Sequence, residues 1–171
     1  MSIYGGLCSV RTREMIVNLA DSKICVPSSS GGHLTQMFLL MPVLKKSKDR
    51  FWITFDKEDA KTLLENERVY NCYYPTNHNA KNLLRNTILA IRVLAKERPN
   101  LIISSGAAVA VPFFYIGKLF GAKLVYVEVF DRVNSATLTG RLVSRIADLF
   151  IVQWEEQLEV YPRAVNLGSV F

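Results

Sequence analysis

The pattern of apolar and polar positions along this chain alternates between two kinds of segment. Short runs rich in β-branched and aromatic residues, bounded by polar or glycine-containing turns, predict strands at 23–27, 51–55, 69–74, 100–104, 123–129 and 148–153. Apolar residues at helical spacing predict helices at 33–46, 57–67, 80–97, 107–120 and 137–147. Regular alternation of strand and helix predicts an α/β fold: a Rossmann-like, doubly wound parallel sheet with helices on both faces.

The length and apolar content fit one domain. Half of the 171 residues are hydrophobic, which is enough for a substantial core. We expect residues 1–22 to be an N-terminal leader that need not be ordered, and residues 23–171 to form a single domain. The most apolar region, 101–130, is divided by Ser-Ser-Gly and by Gly121, so its longest piece is shorter than the roughly 20 residues of a membrane-spanning helix.

Charge and cysteine content indicate the kind of partner and the redox compartment. Lys and Arg outnumber Asp and Glu by 21 to 15, and the resulting charge of +6 favours phosphates, anionic lipid or nucleic acid. Cys8, Cys25 and Cys72 are far apart and form no CxxC pair, which is typical of reduced thiols in the cytosol. Because no metal-ligand cluster is visible, we expect neither a metal nor a cofactor.

The turn after the first predicted strand, "SSSGGH", is the first candidate site. Ser30, Gly31 and Gly32 precede a helix, where free backbone N–H groups can bind an anion such as phosphate. The spacing matches neither GxGxxG nor a Walker motif, and a tight turn without a ligand is the alternative. His33, at the positive end of the helix, is expected to be neutral and able to accept a proton, or else to cap or pack the helix.

A similar turn follows the fourth predicted strand. Ser105 and Gly106 lead into another helix, and parallel strands place both turns at one edge of the sheet, where they suit a diphosphate or a sugar. Glu128 follows the fifth strand at the same edge. Its carboxylate is a candidate base or ligand for sugar hydroxyls, with a helix cap or a surface ion pair as the other role.

The predicted helix 80–97 carries a basic stripe. Its members are Lys81, Arg85, Arg92 and Lys96, which fall within about 60° of one another on a helical projection. The apolar residues point elsewhere: Leu83, Leu84, Ile88, Ile91 and Leu94. One interpretation is docking on anionic lipid headgroups or a lipid diphosphate, and the other is a solvated face above a core-facing side. Nucleic acid is not expected, since no aromatic residues are interleaved with the stripe.

Five segments, in order, carry a resemblance to a known family. They are "SSSGGHLTQ", "SSGAAVAVPF", "VEVFDRVNSATLTGRL", "ADLFIVQW" and "YPRAVNLGSVF". Over residues 23–171 the chain resembles the membrane-associated subunit of two-component GT-B glycosyltransferases. That family includes the recruiting subunit of the N-acetylglucosaminyltransferase of asparagine-linked glycosylation and bacterial capsule and exopolysaccharide counterparts. It is similar to the amino-terminal half of the single-chain peptidoglycan lipid-intermediate N-acetylglucosaminyltransferase.

The resemblance implies roles for the candidate residues. Ser30, Gly31, Gly32 and His33 match the first acceptor-side loop, Ser105 and Gly106 match the second, and Glu128 matches a carboxylate after the fifth strand. A second polypeptide would supply the UDP-sugar site. Val170 and Phe171, at the end of the chain, would pack against that partner.

The hypothesis from the sequence is therefore a subunit of an inverting glycosyltransferase. It would bind a polyprenyl-diphosphate-linked saccharide at the cytoplasmic face of a membrane, peripherally attached, and be inactive without its partner. His33 or Glu128 would act as the base unless the partner supplies it. The missing amino-terminal anchor of the eukaryotic members favours bacterial capsular or exopolysaccharide synthesis. The alternatives are a non-catalytic membrane-recruiting adaptor and a self-sufficient flavodoxin-like enzyme that binds phosphate or a nucleotide.

Overall fold

The fold is a parallel sheet of seven strands between helices. A computed structural model describes residues 19–76 and 79–169 and places the strands in the order β3-β2-β1-β4-β5-β6-β7. The strands are β1 Lys23–Pro27, β2 Asp49–Phe55, β3 Val69–Cys72, β4 Leu101–Ser104, β5 Lys123–Val127, β6 Leu149–Val152 and β7 Val165–Asn166. All adjacent strands pair in parallel, which confirms the predicted Rossmann-like class.

Five predicted helical stretches contain helices, one of them divided in two, and the structure adds a short helix and the strand β7 that the sequence did not predict. The helices are α1 Gly32–Leu39, α2 Met41–Leu44, α3 Glu58–Leu63, α4 Ala80–Glu97, α5 Ala110–Leu119, α6 Leu138–Val143 and α7 Gln157–Val160. The prediction of one helix over 33–46 is wrong, because the chain turns at Leu40 and begins a new helix with Pro42 in its first turn. Proline has no N–H to continue the preceding helical hydrogen bonds but fits the start of a helix.

Each face of the sheet has its own apolar core. On one face α4, α5 and α6 pack on side chains that include Phe51, Ile102 and Tyr126. On the other face α1, α2 and α3 pack on side chains that include Trp52. Cys25 and Cys72 are buried and unbonded, and burial raises the pKa of Cys72 to about 12. Within the described ranges, no helix is long and apolar enough to cross a membrane.

The second face is covered only in part. Over β4, β5 and β6 the sheet lines an open apolar groove of about 330 Å³, whose sheet side includes Ile103, Val127 and Ile151. Leu19 also lines this groove, so part of the predicted leader lies against the domain. Residues 1–18 of that leader lie outside the described residues.

A charged cluster at the end of α4 ties three elements together. The Glu97 carboxylate pairs with Lys23 Nζ at 2.7 Å and Arg68 Nη1 at 3.5 Å, and it accepts a hydrogen bond from the Tyr70 hydroxyl. The Lys23 and Tyr70 contacts, in that order, hold the pKa of Glu97 below its usual value. Because Glu97 is only 8% exposed, its charge depends on these partners.

We expect Glu97→Gln to lower the free energy of unfolding at pH 7 by about 1–2 kcal/mol, because it removes a charge-assisted hydrogen bond to Lys23. A carboxylate whose pKa is lowered on folding stabilises the folded protein at pH values above its unfolded-state pKa. This stabilisation is lost as the pH falls through the folded-state pKa. Urea unfolding at pH 7 and at about pH 3.5 should therefore show the difference between wild type and variant shrinking in acid. Glu58→Gln is the control, since its pair with Lys61 is exposed. An equal loss in both variants would contradict the prediction.

Candidate functional site

The candidate site lies where the order of the strands reverses, between β1 and β4. In a doubly wound sheet the loops at the carboxyl ends of two such strands separate and leave a crevice. The first loop, 28–31, leads from β1 into α1, and the second, 105–109, leads from β4 into α5. Ser104 supports both loops from below, because its hydroxyl donates to Pro27 O at 2.5 Å and accepts from Gly106 N at 3.0 Å.

Two hydrogen bonds join the first turn of α1 to the second loop. His33 Nδ1 lies 3.1 Å from Ser105 O, and Ser105 Oγ donates to His33 O at 3.0 Å. Because a carbonyl oxygen only accepts, Nδ1 carries the proton and Nε2 of the neutral ring is an acceptor. The structure thus brings together the two turns that the sequence predicts to face each other.

His33 is held in the neutral form mainly by burial. Burial lowers the pKa of His33, and the hydrogen bond to Ser105 and the charges of Asp131 and Glu128 offset this only in part. The sequence prediction assigned the same neutral state to the helix dipole, whereas in the structure desolvation is the leading cause. An imidazole with one nitrogen fixed and the other unprotonated has the form required of a general base.

A carboxylate already occupies part of the predicted anion site. Asp59, in the first turn of α3, accepts a hydrogen bond from Gly31 N at 2.6 Å. Sequence reasoning missed this contact, although "FDKEDA" follows β2, the strand next to β1 in the sheet. An anion that takes the Gly31 N–H therefore has to displace Asp59.

Glu128 does not reach the surface. Its carboxylate is fully buried and accepts hydrogen bonds from Val129 N at 3.0 Å, Thr137 Oγ1 at 3.1 Å and the Tyr161 hydroxyl at 2.5 Å. Burial, followed by the bond to Glu128, raises the pKa of Tyr161, so the phenol remains a donor. Each carboxylate oxygen is therefore satisfied inside the protein, and the base role predicted from the sequence would require these bonds to open.

The backbone at Glu128 joins neighbouring elements. Its carbonyl accepts from Gln36 Nε2 at 3.1 Å and from Gln153 Nε2 at 2.8 Å, so α1, β5 and the end of β6 meet at one point. Thr137, which donates to the carboxylate, also caps α6 by accepting from Gly140 N at 2.9 Å. Glu128 therefore positions the start of α6 beside the edge that carries His33.

The basic stripe of α4 is exposed, as predicted, but its apolar neighbours are not core-facing. Lys81, Arg85, Arg92 and Lys96 all lie at the surface. Leu83, Leu84, Ile88 and Ile91 are 47%, 63%, 42% and 45% exposed, and only Leu94 of the predicted apolar set is buried. The interpretation of a normal core-facing side is wrong for these four residues.

Two asparagines explain which side of α4 is buried. Asn86 donates from Nδ2 to Tyr73 O at 2.9 Å and accepts from Tyr73 N at 2.8 Å. Asn82 donates to Pro75 O at 2.9 Å. These amides satisfy the backbone that enters α4 and place Leu83, Leu84, Ile88 and Ile91 on the outer side, so α4 presents apolar and basic side chains together.

Two predicted positions lie at the end of the chain. Val170 and Phe171, the predicted partner contacts, lie outside the described residues. Within the described ranges, no group of three or more His, Cys, Asp or Glu side chains is arranged to hold a metal ion.

Two solved structures share this fold. The chain superimposes on MurG from Acinetobacter baumannii with a TM-score of 0.68 and 18% identity, covering 86% of this chain and 45% of MurG. It superimposes on the MnaA–UDP structure from S. aureus with a TM-score of 0.70 and 13% identity, covering 87% and 45%. The fold is that of one Rossmann-like domain of GT-B glycosyltransferases and epimerases, and the chain spans less than half of each.

The family follows from the sequence match. Residues 57–170 match the model of the family described as "Oligosaccharide biosynthesis protein Alg14 like", and the chain belongs to that family. The human UDP-N-acetylglucosamine transferase subunit ALG14 is 25% identical, over 92% of this chain and 88% of the human protein. The subunit of the same name from Candida albicans is 28% identical, over 94% and 82%. These relatives do not support the predicted capsular or exopolysaccharide role.

We expect Gly106→Ala to damage the site more than a glycine substitution elsewhere. Gly106 has φ 115°, and an added Cβ would lie 2.6 Å from the Tyr126 hydroxyl and 3.4 Å from His33 Cε1. The strain should cost about 1–3 kcal/mol in the free energy of unfolding, measured by urea denaturation, and should displace the His33 ring. Gly121→Ala is the control, because its φ is 81° but no atom lies within 4 Å of the added Cβ. Equal losses would show that backbone strain alone is responsible.

Proposed function

We propose that this chain is the acceptor-binding and membrane-docking subunit of a heteromeric, inverting UDP-N-acetylglucosamine transferase. Its acceptor would be a polyprenyl-diphosphate-linked saccharide, and the role would be in assembly of a lipid-linked oligosaccharide. The observation that carries the proposal is the pair of small-residue loops joined through His33 and Ser105 at the switch point of the sheet. The proposal is also supported by the membership of the chain in the Alg14-like family. Relatives of the chain are named as UDP-N-acetylglucosamine transferase subunits.

The diphosphate of the acceptor would lie over the two loops. Ser30, Gly31 and Gly32 place backbone donors at the start of α1, an eight-residue helix, and Ser105 and Gly106 form the facing turn. On binding, a phosphate oxygen would exchange with the Asp59 carboxylate at Gly31 N. Glycine at these positions leaves room for the backbone to approach the phosphate.

His33 is the better placed of the two predicted bases. Its Nδ1 is fixed on Ser105, so Nε2 can take the proton from the acceptor hydroxyl as that oxygen bonds to the anomeric carbon. The bond from the anomeric carbon to UDP breaks in the same step, UDP leaves with the electron pair, and the configuration inverts. Glu128, buried beneath this edge, would act as a positioning residue.

The donor site would belong to a second subunit. Each of the two solved structures above extends beyond the part that this chain covers, and the relatives' names contain the word "subunit". We place the contact with that subunit at the open apolar groove over β4, β5 and β6. Leu167, Gly168 and Ser169 line this groove and directly precede the predicted contacts Val170 and Phe171.

Membrane docking would use α4. Leu84 and Ile88 would enter the headgroup region while Arg85 and Lys96 meet anionic lipid, which is the arrangement of an interfacial helix. The positive net charge suits the anionic cytoplasmic leaflet, so the attachment would be peripheral and on that face.

Replacement of His33 tests the proposed mechanism. In the complex reconstituted with its second subunit, His33→Ala should lower kcat about 10²–10⁴-fold, because the acceptor hydroxyl loses its base. The acid limb of the wild-type pH–rate profile should lie below the usual histidine pKa of 6.5, because the pKa of His33 is lowered, and it should vanish in the variant.

Further measurements distinguish the transferase subunit from an adaptor and from a self-sufficient enzyme. Glu128→Gln should keep the acid limb, since Glu128 acts only through position. Full activity of His33→Ala with normal subunit binding would identify a non-catalytic adaptor. Turnover of UDP-N-acetylglucosamine by the isolated chain would identify a self-sufficient enzyme and end the proposal.

Replacement of Asp59 tests the exchange at the anion site. We expect Asp59→Asn to lower the KM for a diphosphate acceptor several-fold, because about 1 kcal/mol of charge repulsion and competition is removed. Steady-state kinetics of the reconstituted complex provide the measurement. Asp56→Asn is the control, since Asp56 directly precedes α3 and is paired with Lys61 at 3.5 Å. A higher KM in Asp59→Asn would mean that the carboxylate assists acceptor binding.

A further inference from the structure

A second concave site lies outside the acceptor edge, between α6 and the turn that precedes β7. Its larger hollow has a volume of about 530 Å³ and is lined by residues that include Ser144, Arg145, Phe150, Tyr161 and Arg163. An adjoining hollow of about 340 Å³ shares Ser144, Arg145 and Tyr161 and adds Arg141. Together they have the size of an ordinary small-ligand site.

Three arginines line this site without acidic partners. No carboxylate is among the lining residues of either hollow. Across 19–76 and 79–169, no ion pair or side-chain hydrogen bond involves the guanidinium groups of Arg141, Arg145 or Arg163. The three positive charges are therefore available to an anion.

Another charged hollow on the same chain shows the contrast. The one around Lys48, about 320 Å³, also holds two arginines, but there Arg50 pairs with Glu67 at 2.5 Å and Arg68 pairs with Asp49 at 2.6 Å. That hollow is neutralised by the chain itself. Within the described part of the chain, no acidic group pairs with the arginines of the second site, so their charge is open to an external anion.

The chemistry of the walls defines the ligand class. Guanidinium groups bind phosphate oxygens in a bidentate manner and suit phosphate better than lysine does. The floor is apolar and includes Phe150, Val160 and Ala164. A phosphate group attached to an apolar body satisfies both features.

The neighbouring surface indicates where that phosphate comes from. On α6, beside Arg141, Leu138 is 75% exposed and Leu142 is 41% exposed. The Tyr115 hydroxyl donates to Leu142 O at 3.0 Å and so joins α6 to α5, where Leu119 is 83% exposed. Apolar side chains beside unpaired arginines fit a bilayer surface, with leucines among the acyl chains and arginines at the phosphates.

We propose that Arg141, Arg145 and Arg163 form a binding site for the phosphate group of an anionic membrane lipid, distinct from the acceptor site. The proposal rests on the membrane docking included in the proposed function and gives it a specific headgroup contact. Tyr161 lines the site and donates to Glu128 at 2.5 Å, so a bound headgroup would lie directly behind the acceptor edge. The lipid contact would thereby set the orientation of that edge toward the membrane.

Vesicle binding by the full chain tests this site. Sedimentation is measured with phosphatidylcholine vesicles and with vesicles containing about one fifth phosphatidic acid. The triple variant Arg141→Gln, Arg145→Gln, Arg163→Gln should bind the anionic vesicles about 10–100-fold more weakly. Each basic residue near the surface contributes about 1 kcal/mol to binding, and we expect the three contributions to be less than fully additive. Unfolding by urea checks that the variant remains folded.

A matched variant separates a site from general charge. Lys45→Gln, Lys46→Gln, Lys48→Gln removes the same number of exposed charges elsewhere on the surface and should weaken binding only about twofold. Equal losses in the two variants, or full vesicle binding by the arginine variant, would overturn the proposal.

Competition identifies the source of the phosphate. Inorganic phosphate at millimolar concentration should not release the chain from anionic vesicles, whereas release would indicate a soluble phosphate ligand and overturn the lipid assignment. Loss of binding to the purified second subunit instead of to vesicles would indicate a protein interface and also overturn it. These assays contain neither a UDP-sugar donor nor a saccharide acceptor. A negative result would therefore overturn the lipid site without bearing on the transferase proposal.

Discussion

The reciprocal hydrogen bonds between His33 and Ser105 are the constraint on which the candidate site depends. They cross the point where strand order reverses, where the loops of a doubly wound sheet otherwise diverge. The same contacts satisfy two backbone carbonyls, fix the histidine tautomer and hold both small-residue loops at one edge. The proposed site for a diphosphate and a proton acceptor therefore depends on one pair of contacts.

Glu128 is buried beneath the proposed site and is not exposed in it. A buried carboxylate is costly unless each oxygen is satisfied, and here Thr137, Tyr161 and a backbone N–H satisfy it. The same network fixes the start of α6 and one wall of the arginine site. The proposed acceptor edge and the surface behind it are consequently joined through Tyr161.

Two surfaces of the described residues expose extensive apolar area. Among residues 19–76 and 79–169, no helix covers the apolar groove over β4, β5 and β6 as α1, α2 and α3 cover the other half of that face. The outer layer of α4, α5 and α6 exposes leucines and isoleucines next to basic residues. Exposed apolar area of this extent is typical of interaction surfaces, and it fits a subunit that works between a partner and a membrane.

Much of the fold could be predicted from the sequence, because strand and helix periodicities are local. The predicted helix 80–97 coincides with α4, and both small-residue loops were placed at the correct edge of the sheet. The sequence also determined the positive charge and the types of residue available for chemistry. Only the tertiary structure decided that Asp59 contacts Gly31 and that Glu128 is buried against Tyr161, because these partners are 28 and 33 residues apart. It also decided which side of α4 faces outward. Asn82 and Asn86 are buried because they bond to the backbone of Pro75 and Tyr73, and helical periodicity does not predict such contacts.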